Sequence, residues 1–315
     1  NLRFEGGSEE FRWSASLGYK DIQGAMIGSG RKTFSGGVTL SYSYKNLTFR
    51  NQTSIGSNKS EESPYGSFSD YARQQPYNAP WTDDGKLNRY FDGWDAWETQ
   101  VQNPLYDATL GNIDKSGYVE IINNFSVEWK MTPELTLRGK FGISHTNNTS
   151  DMYKSPESSE FKDYTGDQVL RKGRYVYTTG KANTYEGNVT LSYAKVFGEV
   201  HSLYAGLDAS IAQNDSYSYG FTMEGFTNDR PFLGNALNYA ENDMPSASEY
   251  TTRRLGLVGN VNYVYDNRYY VDLSLRTDGS SQFGSDKRFG TFWSAGLGWN
   301  VHNEKFMQSQ NMDTI

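Results

Sequence analysis

The chain has 315 residues, a formal charge of −7 and no cysteine. The missing cysteines exclude disulfides, thiolate metal sites and cysteine nucleophiles, and the acidic balance with scattered Arg and Lys argues against nucleic-acid binding. Mean hydropathy is −0.74 and no long apolar run occurs, which excludes a membrane-spanning helix. A membrane-spanning β-barrel escapes that test because only alternate residues meet lipid. The 24 Tyr, 17 Phe, 7 Trp and 32 Gly favour strands and turns.

Alternating apolar and polar residues predict ten strands. They lie near residues 10–19, 36–44, 47–56, 118–130, 135–145, 185–196, 200–212, 252–265, 268–277 and 290–302. In the second segment Val38, Leu40 and Tyr42 occupy every second position, which we call the apolar parity. In the fifth segment Arg138 and Lys140 occupy the intervening positions, which we call the polar parity. Successive side chains of a strand point to opposite faces. We therefore expect one apolar face, with Asp, Glu, Lys and Arg confined to the other.

The predicted connections alternate in length. Short turns fall at 45–46, 131–134, 197–199 and 266–267, and long connections cover 20–35, 57–117, 146–184, 213–251 and 278–289. Outer-membrane barrels have this asymmetry, with short periplasmic turns and long extracellular loops.

Aromatic residues of the apolar parity collect near the short turns. They are Tyr42, Tyr44, Phe49, Trp129, Tyr193, Tyr263, Tyr265, Tyr269 and Trp299. Tyr and Trp are enriched where an amphipathic ring is half in lipid and half in water, so we interpret the set as a periplasmic girdle. Alternation alone does not say which face points inward, and the same aromatics could fill a water-soluble barrel or sandwich. Strand length, loop asymmetry and the girdle together favour an all-β, antiparallel transmembrane barrel.

A run of turn residues and glycines lies within 275–306. Its members include Arg276, Asp278, Gly279, Ser280, Ser281, Phe283, Gly284, Gly290, Gly298 and Trp299. The run resembles the barrel signature of SusC/RagA-type TonB-dependent outer-membrane transporters. Read physically, it is a turn that closes a hairpin, and a hairpin cap without a ligand is the simpler role for each residue.

The resemblance implies a 22-stranded barrel with an N-terminal plug, a TonB-contacting segment and a SusD-like lipoprotein lid. Ten strands are too few for that barrel, and neither plug nor terminal barrel strands are recognised. We therefore expect residues 1–315 to form part of a receptor barrel, with TonB bound through a region outside them. The implied function is import of a bulky nutrient, a glycan or an oligopeptide, without catalysis or a cofactor.

Two sets of residues are candidates for function. The aromatic connection 57–117 is too long to be an ordinary loop, and its apolar rings could stack on a solute or pack the loop onto itself or the lid. Its candidate ligand contacts are Trp81, Tyr90, Phe91, Trp94 and Trp97. The inward polar set should face the plug, which we favour, or the solute path, and it comprises Arg50, Glu120, Arg138, Lys140, Asp208, Asp272 and Arg276.

Two other classes of protein remain open. A soluble or surface β-sandwich that binds carbohydrate would use the same aromatic loop, and would need a closed apolar core between two sheets. An outer-membrane enzyme would need Ser, His and an acid converging at the lumen, which order along the chain does not indicate. His145, His201 and His302 lack metal-ligand spacing, so no metal site is predicted.

Overall fold

The computed structural model describes residues 1–72, 74–91, 101–284 and 287–308. In chain order the strands are β1 Leu2–Gly7, β2 Phe11–Gln23, β3 Gly30–Tyr44, β4 Leu47–Glu61, β5 Tyr90–Phe91, β6 Val101–Gln102, β7 Ile113–Lys130, β8 Leu135–Lys154, β9 Arg174–Phe197, β10 His201–Phe226, β11 Ala236–Tyr239, β12 Ser246–Tyr265, β13 Tyr269–Ser280 and β14 Phe289–Trp299. The α-helices are α1 Phe68–Ala72, α2 Pro104–Asp107 and α3 Lys305–Gln308. Short 3₁₀ helices occur at Ser159–Phe161, Gly166–Arg171, Leu233–Asn235 and Val301–Asn303.

Twelve of these strands form one antiparallel sheet. Its order is β1-β2-β3-β4-β7-β8-β9-β10-β12-β13-β14, with β11 also paired to β10, and β5 and β6 form a separate ribbon. All ten predicted strands are present, so the predicted all-β antiparallel class is confirmed. Strands β1 and β11 were not predicted. They have six and four residues, and in β1 the alternation of Leu2 and Phe4 with Arg3 and Glu5 was overlooked.

The strands run further towards the long loops than the alternation predicts. Strand β10 has 26 residues, about 85 Å of extended chain, whereas about 9–11 residues cross a bilayer. The connections shorten accordingly, to residues 24–29, 62–112, 155–173, 227–245 and 281–288. Beyond the apolar band both faces meet water, so the periodic signal ends although the hydrogen-bonded ladder continues.

The short turns have the backbone that tight hairpins require. Asp266 and Asn267 have φ of 51° and 52°, and the Arg268 N–H donates to the Tyr265 carbonyl at 2.9 Å. Two central residues with positive φ define a type I′ turn, whose twist matches that of the flanking strands.

The apolar parity forms a continuous outer face. Register places Leu47 beside Trp129, Leu137 and then Leu191 on successive strands. Leu207 is 62% exposed and Leu273 is 50% exposed, because no second sheet covers this face in the described parts of the chain. A soluble sandwich would bury these side chains between sheets.

The polar parity forms the opposite face. Asp208 and Ser210 are less exposed than the flanking Leu207, Ala209 and Ile211. Along residues 206–212 this is the pattern of a sheet that curves around its polar face, whereas Ser202 and Tyr204 near the short turn are more exposed than Leu203 and Ala205.

Within the predicted strand bounds, two cations depart from the expected confinement of charge. Lys195 and Arg253 have the apolar parity, so the rule is wrong at these positions. Lys195 lies near the short turns, 3.3 Å from Glu134, and Arg253 lies towards the long loops, where its Nε donates to Gln213 at 2.9 Å. Both stand at the edges of the apolar band, where long side chains reach water.

The buried apolar side chains of the described residues lie at the long-loop end. They are Phe91, Tyr153, Phe161 and Phe226, contributed by β5, β8, a 3₁₀ turn and β10. No described helix has both the length and the apolar composition needed to cross a membrane.

Candidate functional site

The seven predicted inward residues lie on one face of the sheet. One register row runs from Arg138 through Thr190, Asp208 and Val258 to Arg276. A second row sets Arg50 opposite Ser126 and Ser126 opposite Lys140, and Glu120 and Asp272 have the same parity. Cross-strand pairing thus carries the alternation of each strand across the whole sheet.

Most carboxylates of this face accept hydrogen bonds from neighbouring side chains. Asp208 accepts from Asn188 Nδ2 and Thr190 Oγ1, each at 2.7 Å, and Glu128 accepts from Arg138 Nε at 2.7 Å. Asp272, Glu120 and Asp278 accept from Asn262, Thr146 and Arg276, respectively. These hydrogen bonds stiffen the wall, and two of the carboxylates, Glu128 and Asp278, also have their charge compensated by an arginine.

Arg50 and Lys140 differ from the other members of the set. Neither side chain has a hydrogen-bond or ion-pair partner among the described residues. They flank Ser126 in one row, two strand spacings apart, which is about 10 Å. Both line an open groove of about 860 Å³ that reaches across the polar face, and each offers a positive charge to whatever occupies the groove.

Besides Asp278 of the signature, the groove contains two charged residues that the predicted inward set omitted, Glu186 on β9 and Arg254 on β12. Each has the polar parity of its strand, since Glu186 lies opposite Ala212 and Ala212 opposite Arg254. Alternation would have found both.

The aromatic connection 62–112 docks onto the connection 155–173. Arg89 holds the two together, with its NH1 3.1 Å from Glu157 Oε2 and its guanidinium over the rings of Tyr90 and Tyr106. Asp107 accepts from the Ser159 backbone N–H at 2.9 Å and from the Ser159 hydroxyl. Buried polar groups with such partners fix one arrangement of the loops.

The predicted ligand contacts of this connection have different surroundings. Trp81 is 54% exposed and pairs with Leu87 in an isolated bridge. Phe91 is 6% exposed, and burial raises the pKa of the neighbouring Tyr90. The remaining two candidates, Trp94 and Trp97, lie outside the described residues. The structure thus leaves one described ring, Trp81, largely accessible, and ligand contact stays a prediction for the set.

The signature residues build the hairpin between β13 and β14. Ser281 connects the hairpin to β12, since the Arg253 N–H donates to its hydroxyl and its own N–H donates to the Arg253 carbonyl, both at 2.9 Å. A Cβ at Gly279 would lie 2.6 Å from the Phe289 ring, so only glycine fits there without movement. The other signature residues occupy the same turn and its two arms.

At the other end of that hairpin, Glu304 binds two aromatic residues of the predicted periplasmic girdle, Tyr269 and Trp299. The ring of Tyr269 stacks on that of Trp299 at 6.5 Å. Glu304 accepts from the Tyr269 hydroxyl at 2.6 Å and from Trp299 Nε1 and Arg268 NH1, each at 3.0 Å. These bonds, that from Tyr269 foremost, hold the pKa of Glu304 below its usual range.

Comparison with known proteins gives the same assignment. No family model matches the chain. It is 26% identical to TonB-dependent receptor P39 of Formosa agariphila over 98% of its length, and 23% identical to TonB-dependent receptor SusC of Bacteroides thetaiotaomicron over 99%. The RagAB peptide importer superposes with a TM-score of 0.77 at 23% identity over 98% of this chain. The chain is similar to SusC/RagA-type TonB-dependent receptors.

The match covers only part of each relative. This chain spans 28% of receptor P39, 32% of SusC and 34% of the compared RagAB chain, so it spans about three tenths of the curated relatives it matches. The ferric citrate transporter FecA superposes with a TM-score of 0.56 at 8% identity, a likeness of fold alone.

Proposed function

We propose that this chain forms part of the wall of an outer-membrane, TonB-dependent importer of a bulky nutrient, a glycan or an oligopeptide. The observation that carries the proposal is the division of one curved sheet into an unpacked apolar face and a polar face lined by a groove. Lipid suits the first face, where a midplane charge would cost about 2–4 kcal/mol, and an aqueous interior suits the second.

Within such an importer, the polar face would meet the plug or the solute. Arg50, Lys140 and Arg254 are the described cations best suited to that contact, because they line one groove and their side chains have no hydrogen-bond or ion-pair partner on the wall. We assign them to plug docking first, with the solute path as the second role. None of the residues named here is assigned to TonB.

At the long-loop end, the docked connections would offer a surface to a SusD-like lipoprotein. Trp81 would contribute there to the lid or to the solute. The similarity to the RagAB peptide importer supports a role in import, and the lipoprotein partner and the cargo of this chain are part of the proposal.

A cell-based assay tests the function. The gene encoding this chain is deleted, and growth is measured on single oligosaccharide or oligopeptide sources, with monomeric sugars and amino acids as the control. We expect loss of growth on one class of oligomer only, with recovery on complementation. Equal growth on every oligomer, or recovery of the protein in buffer without detergent, would contradict the proposal.

Crosslinking tests the role of the cations. A photoreactive residue is introduced in place of Lys140 in the intact protein, with a matched variant at Val127 on the apolar face. Plug docking predicts an internal crosslink from position 140 and a lipid adduct from position 127. If position 140 yields only lipid adducts, the assignment of the two faces is wrong.

A further inference from the structure

A pair of lysines stands on the outward face just above the apolar band. Lys32 on β3 lies directly opposite Lys59 on β4, and both have the parity of the apolar face. Lys32 is 12 residues from Tyr44 (44 − 32) and Lys59 is 12 residues from Leu47 (59 − 47). For strands tilted by about 40°, this places them about 30 Å above the short turns, against an apolar band of about 25 Å.

The neighbouring acids leave this positive charge only partly compensated. Like charges directly opposite on a sheet repel each other. Asp21 is 3.9 Å from Lys32, the limit of an ion pair, and Glu61 pairs with Lys115 at 3.2 Å. The side chain of Lys59 has no ion pair or hydrogen bond among the residues that the structure describes.

The shape beside the lysines suits an amphiphilic molecule. An open groove of about 1100 Å³ lies between the 24–29 loop and the outer face of β3, β4 and β7, and both lysines line it. Gly117, the residue opposite Lys59 on β7, adds no side chain to the groove, and a Cβ there would lie 2.7 Å from the Asn58 carbonyl oxygen. The 24–29 loop is tied down by a hydrogen bond from Ser63 Oγ to the Ile27 carbonyl at 2.7 Å.

Directly below the lysines the outer face is apolar and uncovered. Phe34, Ile55 and Val119 are each more than two-fifths exposed. Phe34 and Val119 share one register row through Ser57, and Ile55 lies in the next row. The order from the long loops downward is therefore groove, paired cations and apolar surface.

We propose that Lys32 and Lys59 bind the phosphorylated headgroup of a lipid of the outer leaflet. A phosphate between the two ammonium groups relieves their repulsion, and the acyl chains lie against Phe34, Ile55 and Val119. The site faces away from the polar groove, so it serves the lipid contact of the barrel and not the cargo. It rests on the proposed membrane placement of the chain.

Native mass spectrometry tests the site. The intact protein that carries this chain is purified in a non-ionic detergent and titrated with bisphosphorylated lipid A, with the enzymatically dephosphorylated lipid, and with inorganic phosphate. The test variant is Lys32→Gln with Lys59→Gln. The matched control is Lys20→Gln with Lys130→Gln, which removes the same charge from the polar parity of β2 and β7.

Each lysine near a lipid surface contributes about fivefold in affinity, so the test variant should bind the bisphosphorylated lipid about 25-fold more weakly. The control pair should change binding less than twofold, and the dephosphorylated lipid should bind weakly to every form. Binding of the test variant within twofold of the parent, equal binding of the dephosphorylated lipid, or saturation by inorganic phosphate alone would overturn the proposal.

Two further readouts separate this inference from the proposed function. Electrophoretic heat modifiability reports that each variant is folded, and membrane fractionation reports where the parent resides. An importer in the outer membrane whose lipid binding ignores both lysines defeats the inference alone. A parent protein found outside the membrane defeats both proposals.

Discussion

Replacing Phe226 should loosen the loop end of the sheet without unfolding its apolar band. Phe226 is 6% exposed, and its ring meets that of Tyr153 edge to face at 5.1 Å. Its backbone N–H donates to the Lys172 carbonyl at 2.8 Å, and a Cβ at Gly173 would lie 2.9 Å from Phe226 Cβ. The ring thus packs between β8 and the end of the 155–173 connection.

The magnitude follows from this packing. Truncating a buried Phe to Ala costs about 3–5 kcal/mol, including the cavity left behind. Because each 1.4 kcal/mol changes an equilibrium tenfold, a loss of 3 kcal/mol raises the open population of the connection about 150-fold. The outward face of the same strand, around Leu207, has no contact with this ring and should be unaffected.

Hydrogen–deuterium exchange of the detergent-solubilised protein measures the change. Phe226→Ala should speed exchange in residues 155–173 by about two orders of magnitude and leave residues 201–212 unchanged. Phe232→Ala is the control, because that ring is 67% exposed, and it should leave both segments unchanged. Equal acceleration by the two variants, or none by Phe226→Ala, would refute the assignment of a packed core to the loop end.

Two further predictions concern the last described hairpin. Gly279→Ala should lower the free energy of unfolding by about 1–3 kcal/mol, because its methyl group would displace the Phe289 ring, while Gly284→Ala, which meets nothing within 4 Å, should have little effect in the same denaturant titration. Acidification should change the fluorescence of Trp299 only below pH of about 4.3, since the lowered pKa of Glu304 means that its stabilising contacts persist above the unfolded-state value and disappear as pH falls through the folded-state value. A transition between pH 6 and 8 would contradict that account.

The sequence alone predicts the part of the fold in which apolar and polar residues alternate. A sheet with apolar residues on one face and polar residues on the other has an apolar residue at every second position of its strands, and all ten predicted strands show this pattern. The same period places Arg50 and Lys140 on one face, because antiparallel pairing preserves parity from strand to strand.

The extensions of the strands and the docking of the loops do not follow from that period. In β10 the four residues after Ala212 are Gln, Asn, Asp and Ser. All four side chains are polar and can face water on either side of the sheet, so the stretch shows no alternation of apolar and polar residues. The contacts of Arg89 with Glu157 and of Asp107 with Ser159 join residues more than 50 positions apart. Such contacts depend on how distant parts of the chain pack together, and no local sequence pattern predicts them.

The charged departures have a similar cause. Lys195 and Arg253 stand at the two edges of the apolar band, where a long side chain reaches a polar neighbour or water. Alternation predicts which face of the sheet such a residue occupies. Whether a charged side chain is tolerated on the apolar face depends on how far along the strand it lies from the middle of the apolar band.

The orientation of the two faces is tested most directly by a charge placed on each. Leu207 lies six residues from His201 (207 − 201), near the middle of the apolar band, and Ser210 lies on the opposite face of the same strand. Denaturant unfolding from phospholipid vesicles measures the stability of Leu207→Lys and Ser210→Lys. An apolar face in lipid predicts a loss of about 2–4 kcal/mol for Leu207→Lys and less than about 1 kcal/mol for Ser210→Lys, whose lysine projects into an aqueous lumen. A larger loss for Ser210→Lys would mean that the polar face is the one held against lipid or a dry core.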